Sequence, residues 1–501
     1  MDDAKEIPIR ILEDDEVIIR AIPPWISSCP DLDEAFDLAL LVGRVEIEMQ
    51  SASLARAPLR SLVQRDVGSA ALWVPQDDPA ALDRLSVNVV ECFLPEREHL
   101  VELKTPDHDR ADLQSFDHRC NVSEPVTLPP VTAKVTWPQA LAWRMRRHFL
   151  DPVGDQSVAA VVRRLCGVQS QVASYAELGV RVRRKSSKPG EIARAMSEGR
   201  VIKTWAMRGT LHLLTPEDAG TFLSLIAAGR SWERPAWERY FGLSPKQFEA
   251  LREVIREALD GKVLTREELI AAVISRRGFG HVGDAMRSGW GTLFKPFAWQ
   301  GDLCFGPTKG NRATFTSPKA ASSRWAGVPE PDAAAAPAIA SYLKAYGPAT
   351  ADRFGFWIGS GRIGKRRIGD WFKALAPRLA DVDIEGERAY VLAEDLDDLI
   401  ATKPTRALRL LPGFDQFVMG PGTGDGHVVP ARRRAAVSKQ AGWISPVVLA
   451  GGIVRGTWGL AGDRLQVAWF KEAGAVRRAA LHAEVERLST ILGRELEVSL
   501  A

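Results

Sequence analysis

The strongest constraint on this chain is a repeated order of local signals, in which capped helices are followed by a short β-hairpin. Thr136-Trp137-Pro138-Gln139 sets an N-cap residue before a proline in the first turn and opens an apolar-periodic run through Ala140, Leu141, Trp143 and Met145. The spacing predicts a second helix over about 155–167, with Val158, Val161, Val162 and Leu165 on one face, and a third over 189–198, stopped by Gly199. Residues 201–207 and 210–214 then flank the turn Arg208-Gly209 and read as a hairpin. Three helices followed by a two-stranded hairpin is the winged-helix arrangement. The order recurs. Ser244-Pro245-Lys246-Gln247 caps a helix to about Leu259, Thr265-Arg266-Glu267-Glu268 caps the next, 287–297 gives a third, and 301–306 with 312–315 gives a second hairpin. Helical periods over 332–345 and 350–358, continued by 371–375, begin a third unit. Beyond Thr405 glycine and β-branched residues dominate, as in Val447-Val448-Leu449-Ala450-Gly451-Gly452-Ile453-Val454, and predict a closing β-rich domain.

Charge separates this body from what precedes it. Residues 1–130 hold 26 Asp/Glu against 12 Lys/Arg, a net of −14, whereas 131–501 hold 54 basic and 37 acidic residues, a net of +17, so the overall +3 conceals two unlike objects. A body with that cation excess suits a polyanionic partner. The acidic segment has few helical periods, short β-prone pieces such as Val17-Ile18-Ile19 and Val87-Asn88-Val89-Val90, and a linker-like end at 121–130. Three readings of it stay open: an acidic accessory domain, a loosely ordered tail, or an over-extended reading frame whose true start lies near Val131 or Val135.

At 501 residues the chain has room for three or four domains. No run approaches the roughly 18 apolar residues of a membrane span and no signal peptide opens the sequence, which predicts a cytoplasmic protein. Five dispersed cysteines and eight dispersed histidines, without a CxxC pair or an i, i+4 histidine pair, predict neither a disulfide framework nor a metal site.

Gly359-Ser360-Gly361-Arg362-Ile363-Gly364-Lys365 matches GxGxxG and nearly the P-loop, but the preceding residues are helical in pattern and Arg366 stands where a magnesium-binding hydroxyl is required; a basic turn is the better reading. His212, on the first hairpin, could act as an acid/base group or, more commonly for a lone histidine on a strand, sit in the core or meet phosphate. Asp415, in Leu411-Pro412-Gly413-Phe414-Asp415-Gln416, could be a catalytic carboxylate, but an Asp in such a turn usually bonds its own backbone. Most of the 13 tryptophans of the body must be core. The sharpest local feature is Val168-Gln169-Ser170-Gln171, two glutamines flanking one residue just after a helix.

Together, Thr136-Trp137-Pro138-Gln139-Ala140-Leu141-Ala142-Trp143-Arg144, Val168-Gln169-Ser170-Gln171, Arg208-Gly209-Thr210-Leu211-His212-Leu213-Leu214, Lys295-Pro296-Phe297-Ala298-Trp299-Gln300-Gly301-Asp302-Leu303-Cys304-Phe305-Gly306, Leu411-Pro412-Gly413-Phe414-Asp415 and Gly456-Thr457-Trp458 resemble bacterial winged-helix DNA-binding proteins of the AlkZ/YcaQ type. The resemblance covers about 131–501 and implies tandem winged helices in a C shape with a β-barrel, and a DNA glycosylase that excises bulky alkylated purines and unhooks interstrand crosslinks. Its active-site signature is Gln, an aliphatic residue, then Gln or Asp; Gln169 and Gln171 match, and Ser170 departs from the aliphatic middle.

The expected architecture is therefore α+β: an acidic extension over 1–130, winged helices over 131–228, 229–325 and 326–404, and a barrel-like β-rich domain over 405–501. The expected catalytic residues are Gln169 and Gln171, and the expected DNA contacts are Arg208, His212, Lys295, Lys309, Arg312, Arg362 and Lys365. The partner would be damaged double-stranded DNA in the nucleoid, without metal, nucleotide cofactor or membrane. A winged-helix regulator without catalysis is the alternative.

Overall fold

The computed structural model describes residues 9–11, 15–17 and 133–500, residue 290 excepted. The chain divides into two compact units, 1–126 and 127–501. In the first, the short strands Ile9–Ile11 and Asp15–Val17 pair antiparallel. The β-prone run at 87–90 lies outside the described residues.

In the second unit the predicted caps fix the helix starts. Thr136, Ser244 and Thr265 each accept a backbone N–H from three residues on, and Gln139, Gln247 and Glu268 return the bond, opening helices Trp137–Arg147, Pro245–Leu259 and Arg266–Ile274. Further helices run Val158–Arg164, Glu191–Ser197, Pro331–Tyr346, Ala351–Gly359 and Lys365–Leu375, near their predicted places. The helix expected over 287–297 is broken into Gly283–Arg287 and Lys295–Trp299. Between them Gly291 takes φ of 63° against the Trp205 indole, where a Cβ would stand 2.4 Å from Cζ2, so the chain must turn there. Helices Ala173–Arg181, Pro216–Ala227 and Arg478–Leu492 are additions to the expected set.

Both predicted hairpins form, Ile202–Trp205 with Leu211–Leu214 and Cys304–Phe305 with Thr314–Thr316, but they do not remain separate. Lys203 pairs with Phe305, and with Val168–Gln169 at one edge and Leu264–Thr265 at the other the hairpins become one six-stranded antiparallel sheet. An isolated hairpin is marginal in water and leaves its edges unpaired; joining the two removes an exposed edge from each. Trp205 anchors the seam, its ring centroid 4.8 Å from that of Phe305 and 6.0 Å from that of Phe315.

The first helix belongs with a distant part of the chain. Strand Ala133–Val135 runs parallel to Leu379–Ile384, which pairs antiparallel with Glu387–Leu392, and Val135, Trp143, Val382, Ile384 and Leu399 share a core. Trp143 Nε1 and Arg146 donate to Asp398 at 2.8 and 2.6 Å, and Arg147 grips Asp395 at 3.0 and 2.9 Å. The opening strand and helix of the 131–228 span thus complete the sheet of the 326–404 span.

The C-terminal sheet runs in the order Leu408–Leu411, Val447–Ala450, Ile453–Ala461, Arg464–Trp469, Glu497–Leu500 and is open, not barrel-like as expected. Its last strand arrives parallel through helix Arg478–Leu492, whose Leu481, Val485, Leu488 and Ile491 enter the core. Glu484 on that helix accepts the Leu410 N–H at 3.1 Å, so a carboxylate caps the edge where a closing strand would have bonded. The α+β class holds. Among the described residues no helix is long and apolar enough to cross a membrane.

Candidate active site

The glutamines sit where a helix turns sharply into a sheet edge. Helix Val158–Arg164 ends at Leu165, after which Cys166 and Gly167 take φ of 53° and 108° and redirect the chain into Val168–Gln169. A Cβ on Gly167 would lie 2.8 Å from Leu214 Cδ2, so both backbone and packing demand glycine. The turn is held from beneath by Tyr346, whose hydroxyl donates to the Leu165 carbonyl at 2.6 Å. Sequence reasoning missed this tyrosine; the available signal was a Tyr on the apolar face of a helix, where a buried hydroxyl needs a partner.

Val168 and Gln169 pair with Leu213 and His212 across the strand edge, and Ser170 N donates to Leu211 O at 2.7 Å. Where the ladder would continue, Gln171 substitutes a side chain for backbone: its Oε1 accepts the Leu211 N–H at 3.3 Å. That leaves its NH2 group outward on an exposed residue. Gln169 is buried, with Oε1 lacking a donor. Ser170, in the place of the expected aliphatic residue, is buried too, and its hydroxyl lacks a partner.

Two of the expected DNA contacts point inward. Arg208 and Gly209 form the hairpin turn with φ of 58° and 71°, which folds the Arg208 side chain back so that Nη1 donates to Met419 O at 3.2 Å. It ties the turn to the helix Gln416–Met419 and does not reach toward solvent. His212 is fully buried, its Nδ1 3.0 Å from Thr210 O. Burial and the nearby Arg208 guanidinium pull its pKa down to about 3, so it is neutral and offers no charge to phosphate. Both assignments are therefore corrected: the residue types suit phosphate, but the backbone and the packing aim them the other way.

Other cations converge. A Cβ on Gly209 would lie 3.7 Å from Lys295 Nζ and 3.8 Å from Arg362 Nη1, which brings side chains from two remote segments to the hairpin turn. Lys309 and Arg312 stand exposed at the tip of the second hairpin, where Lys309 pairs with Glu268 at 3.2 Å. Lys365 is exposed and 3.7 Å from Asp352. The Gly359-to-Lys365 text follows helix Ala351–Gly359 and no strand, with Ser360 and Gly361 in a left-handed turn, so it lacks the setting of a phosphate-cradling loop.

Asp415 accepts the Phe417 N–H at 2.8 Å and makes a two-pronged ion pair with Arg183, both contacts at 2.7 Å, entirely beneath the surface. It is a structural carboxylate. Cys166 and Cys304 are free and buried, and burial pushes their thiols up, that of Cys304 to about 12, which removes them as nucleophiles at neutral pH.

The chain that carries these two non-titrating amides at a strand edge matches enzymes that cleave an N-glycosidic bond in DNA, the DNA glycosylases. The model of the family described as "DNA glycosylase AlkZ-like" matches residues 162–491. The chain belongs to that family. It is 44% identical over 361 residues to the interstrand DNA cross-link repair glycosylase of Streptomyces sahachiroi, a match that covers 72% of this chain and 97% of that protein. The solved structure of the Streptomyces sahachiroi DNA glycosylase AlkZ superposes with a TM-score of 0.72 at 43% identity, covering 74% of this chain and all of that one.

Proposed function

We propose that the protein is a monofunctional glycosylase that hydrolyses the N-glycosidic bond of cationic N-alkylated purines and unhooks interstrand crosslinks, with Gln169 and Gln171 as its catalytic residues. The observation that carries the reading is the anchoring of the exposed Gln171 to the Leu211 N–H two residues beyond the buried Gln169, at the edge of the sheet. An amide neither gives nor takes a proton near neutral pH, so it supplies no general acid or base. It can orient water and set a carbonyl dipole against growing positive charge. That suffices where alkylation at N7 has already made the purine a good leaving group: the C1′–N9 bond breaks, the electron pair leaves with the base as a neutral purine, and water adds to the oxocarbenium-like sugar and sheds its proton to solvent. The Streptomyces relative is named for crosslink repair, and a site at an open strand edge suits a base that its second tether keeps from swinging fully out.

In the same reading the segments 131–228, 229–325 and 326–404 act as winged helices, and Lys295, Arg362, Lys309, Arg312 and Lys365 hold the phosphates of duplex DNA in the nucleoid without reading sequence. Arg208 and His212 are left out of that surface. The test is incubation with duplex carrying N7-methylguanine, followed by alkaline cleavage at abasic sites. Base loss at the lesion and none from unmodified duplex is the expected result. Binding without base release from any cationic lesion would leave the regulator reading instead.

A further inference from the structure

Thr204, His212 and Gln169 form a row across three adjacent strands, Thr204 opposite His212 and His212 opposite Gln169. Directly opposed residues of an antiparallel ladder project on the same side of the sheet, with their Cβ atoms about 5 Å apart. All three are buried, at 1%, 0% and 5% exposure, and each carries a polar atom without a partner: Thr204 Oγ1, His212 Nε2 and Gln169 Oε1. Buried polar atoms in native proteins are paired, so a row of three such atoms at the edge of a site asks what matches them.

The histidine sets the answer. Its Nδ1 faces the Thr210 carbonyl at 3.0 Å, and a carbonyl only accepts, so Nδ1 carries the proton and Nε2 presents a bare lone pair. Burial and Arg208 keep the ring neutral, which preserves that lone pair throughout the neutral range. An amide oxygen turned inward beside a lone pair finds no donor; an amide NH2 turned inward finds an acceptor. The two ends of a glutamine have the same shape, so half a turn about its terminal bond exchanges them without disturbing the packing.

We infer that His212 is a positioning residue: its Nε2 accepts a hydrogen bond from the Gln169 NH2 group and so holds the Gln169 carbonyl oxygen outward, toward the reacting sugar and water. The neighbouring amide is fixed the opposite way, because Gln171 Oε1 is engaged by the Leu211 N–H and its NH2 is left outward. The two amides then present unlike ends, an acceptor from Gln169 and a donor from Gln171. The kinetic consequence rests on the glycosylase reading above; the contact itself does not.

The test uses the full chain. His212→Phe keeps an aromatic ring and deletes the acceptor, and His212→Gln restores an acceptor oxygen. Single-turnover release of 7-methylguanine is expected to fall about 10- to 100-fold in His212→Phe, with duplex affinity within twofold of wild type, and to recover in part in His212→Gln. With histidine-specific 15N labelling, Nε2 of His212 is expected to stay unprotonated from pH 5 to 8, and its resonance to move on Gln169→Leu. A wild-type release rate in His212→Phe overturns the inference, as does an Nε2 resonance that moves on Thr204→Val and not on Gln169→Leu. A wild type that releases no base removes the glycosylase reading while the resonance still decides the contact.

Discussion

Removal of Asp415 should show whether that carboxylate serves the fold or the chemistry. Its two oxygens meet Arg183 at 2.7 Å each, one of them also accepts the Phe417 N–H, and neither side chain of the pair is more than 1% exposed. Arg183 ends the segment after helix Ala173–Arg181, so the pair fastens that helix to the loop that leads into Gln416–Met419, and through Met419 O to Arg208. Asp415→Ala strands a buried guanidinium, which typically costs about 3–5 kcal/mol, and deletes an N-cap, which typically costs about 1 kcal/mol. The expected loss is about 4–6 kcal/mol. Arg183→Met with Asp415→Leu removes both charges and fills the space with apolar atoms, so the double variant should be more stable than Asp415→Ala, even though the cap is absent from both. Urea denaturation followed by tryptophan fluorescence reads the stabilities, and base release from N7-methylguanine duplex reads the site. The folded double variant should retain release. A loss below about 1 kcal/mol in Asp415→Ala would refute the energetic argument, and a stable double variant without activity would return Asp415 to the catalytic machinery.

Gln169→Ala and Gln171→Ala should each slow base release ~10²- to 10³-fold while duplex affinity stays near wild type, measured by single-turnover kinetics and fluorescence anisotropy. Lys295→Ala and Arg362→Ala should each reduce the slope of log K against log salt by about 1, whereas Arg208→Ala should lower the melting temperature and leave that slope unchanged. Truncation before Val131 should bind duplex at least as well as the whole chain, since it removes a segment of net −14 that competes with phosphate for a body of net +17; weaker binding at low salt would contradict this. His148 and His212 are both fully buried and held neutral by burial, their pKa values pushed below the ordinary 6.5. The unfolded chain then binds protons that the native chain refuses, so stability should fall as pH drops below about 6.5, by about 2 kcal/mol from His212 on reaching pH 5 and further from His148, as urea midpoints across that range would record.

What the sequence disclosed follows the range of the forces involved. Capping boxes at Thr136, Ser244 and Thr265 are written in four consecutive residues and form as read. The Arg208-Gly209 turn and its flanking strands are equally local. The pairing of Lys203 with Phe305 and of Ala133–Val135 with Leu379–Ile384 leaves no local trace, because strand partners are chosen by tertiary packing. Helix Ala173–Arg181 begins at Val172 without a side-chain cap, and so lacked its usual start signal. In the site, the Gln169 and Gln171 text was visible, but the roles of Arg208 and His212 were not: residue type suggests phosphate, and only the left-handed turn and the buried strand reveal that both face the interior. Gly291 had the same character, a break in a helical period that becomes clear once the Trp205 ring is seen against it.

The pairing of Ala133–Val135 with Leu379–Ile384 has a consequence in time. The backbone N–H of Trp137 reaches the Glu385 carboxylate across a separation of 248 residues, so the start of the body cannot complete its sheet until that much chain has followed it out of the ribosome. At roughly 5–20 residues per second, synthesis leaves the strand and the inner face of helix Trp137–Arg147 without their partner for about 12–50 seconds. During that interval Trp143, which ends fully buried, has no core to enter. The newborn chain therefore carries an exposed apolar helix face through about half of its translation, which makes the body a substrate for chaperones well before it can be a binder of DNA.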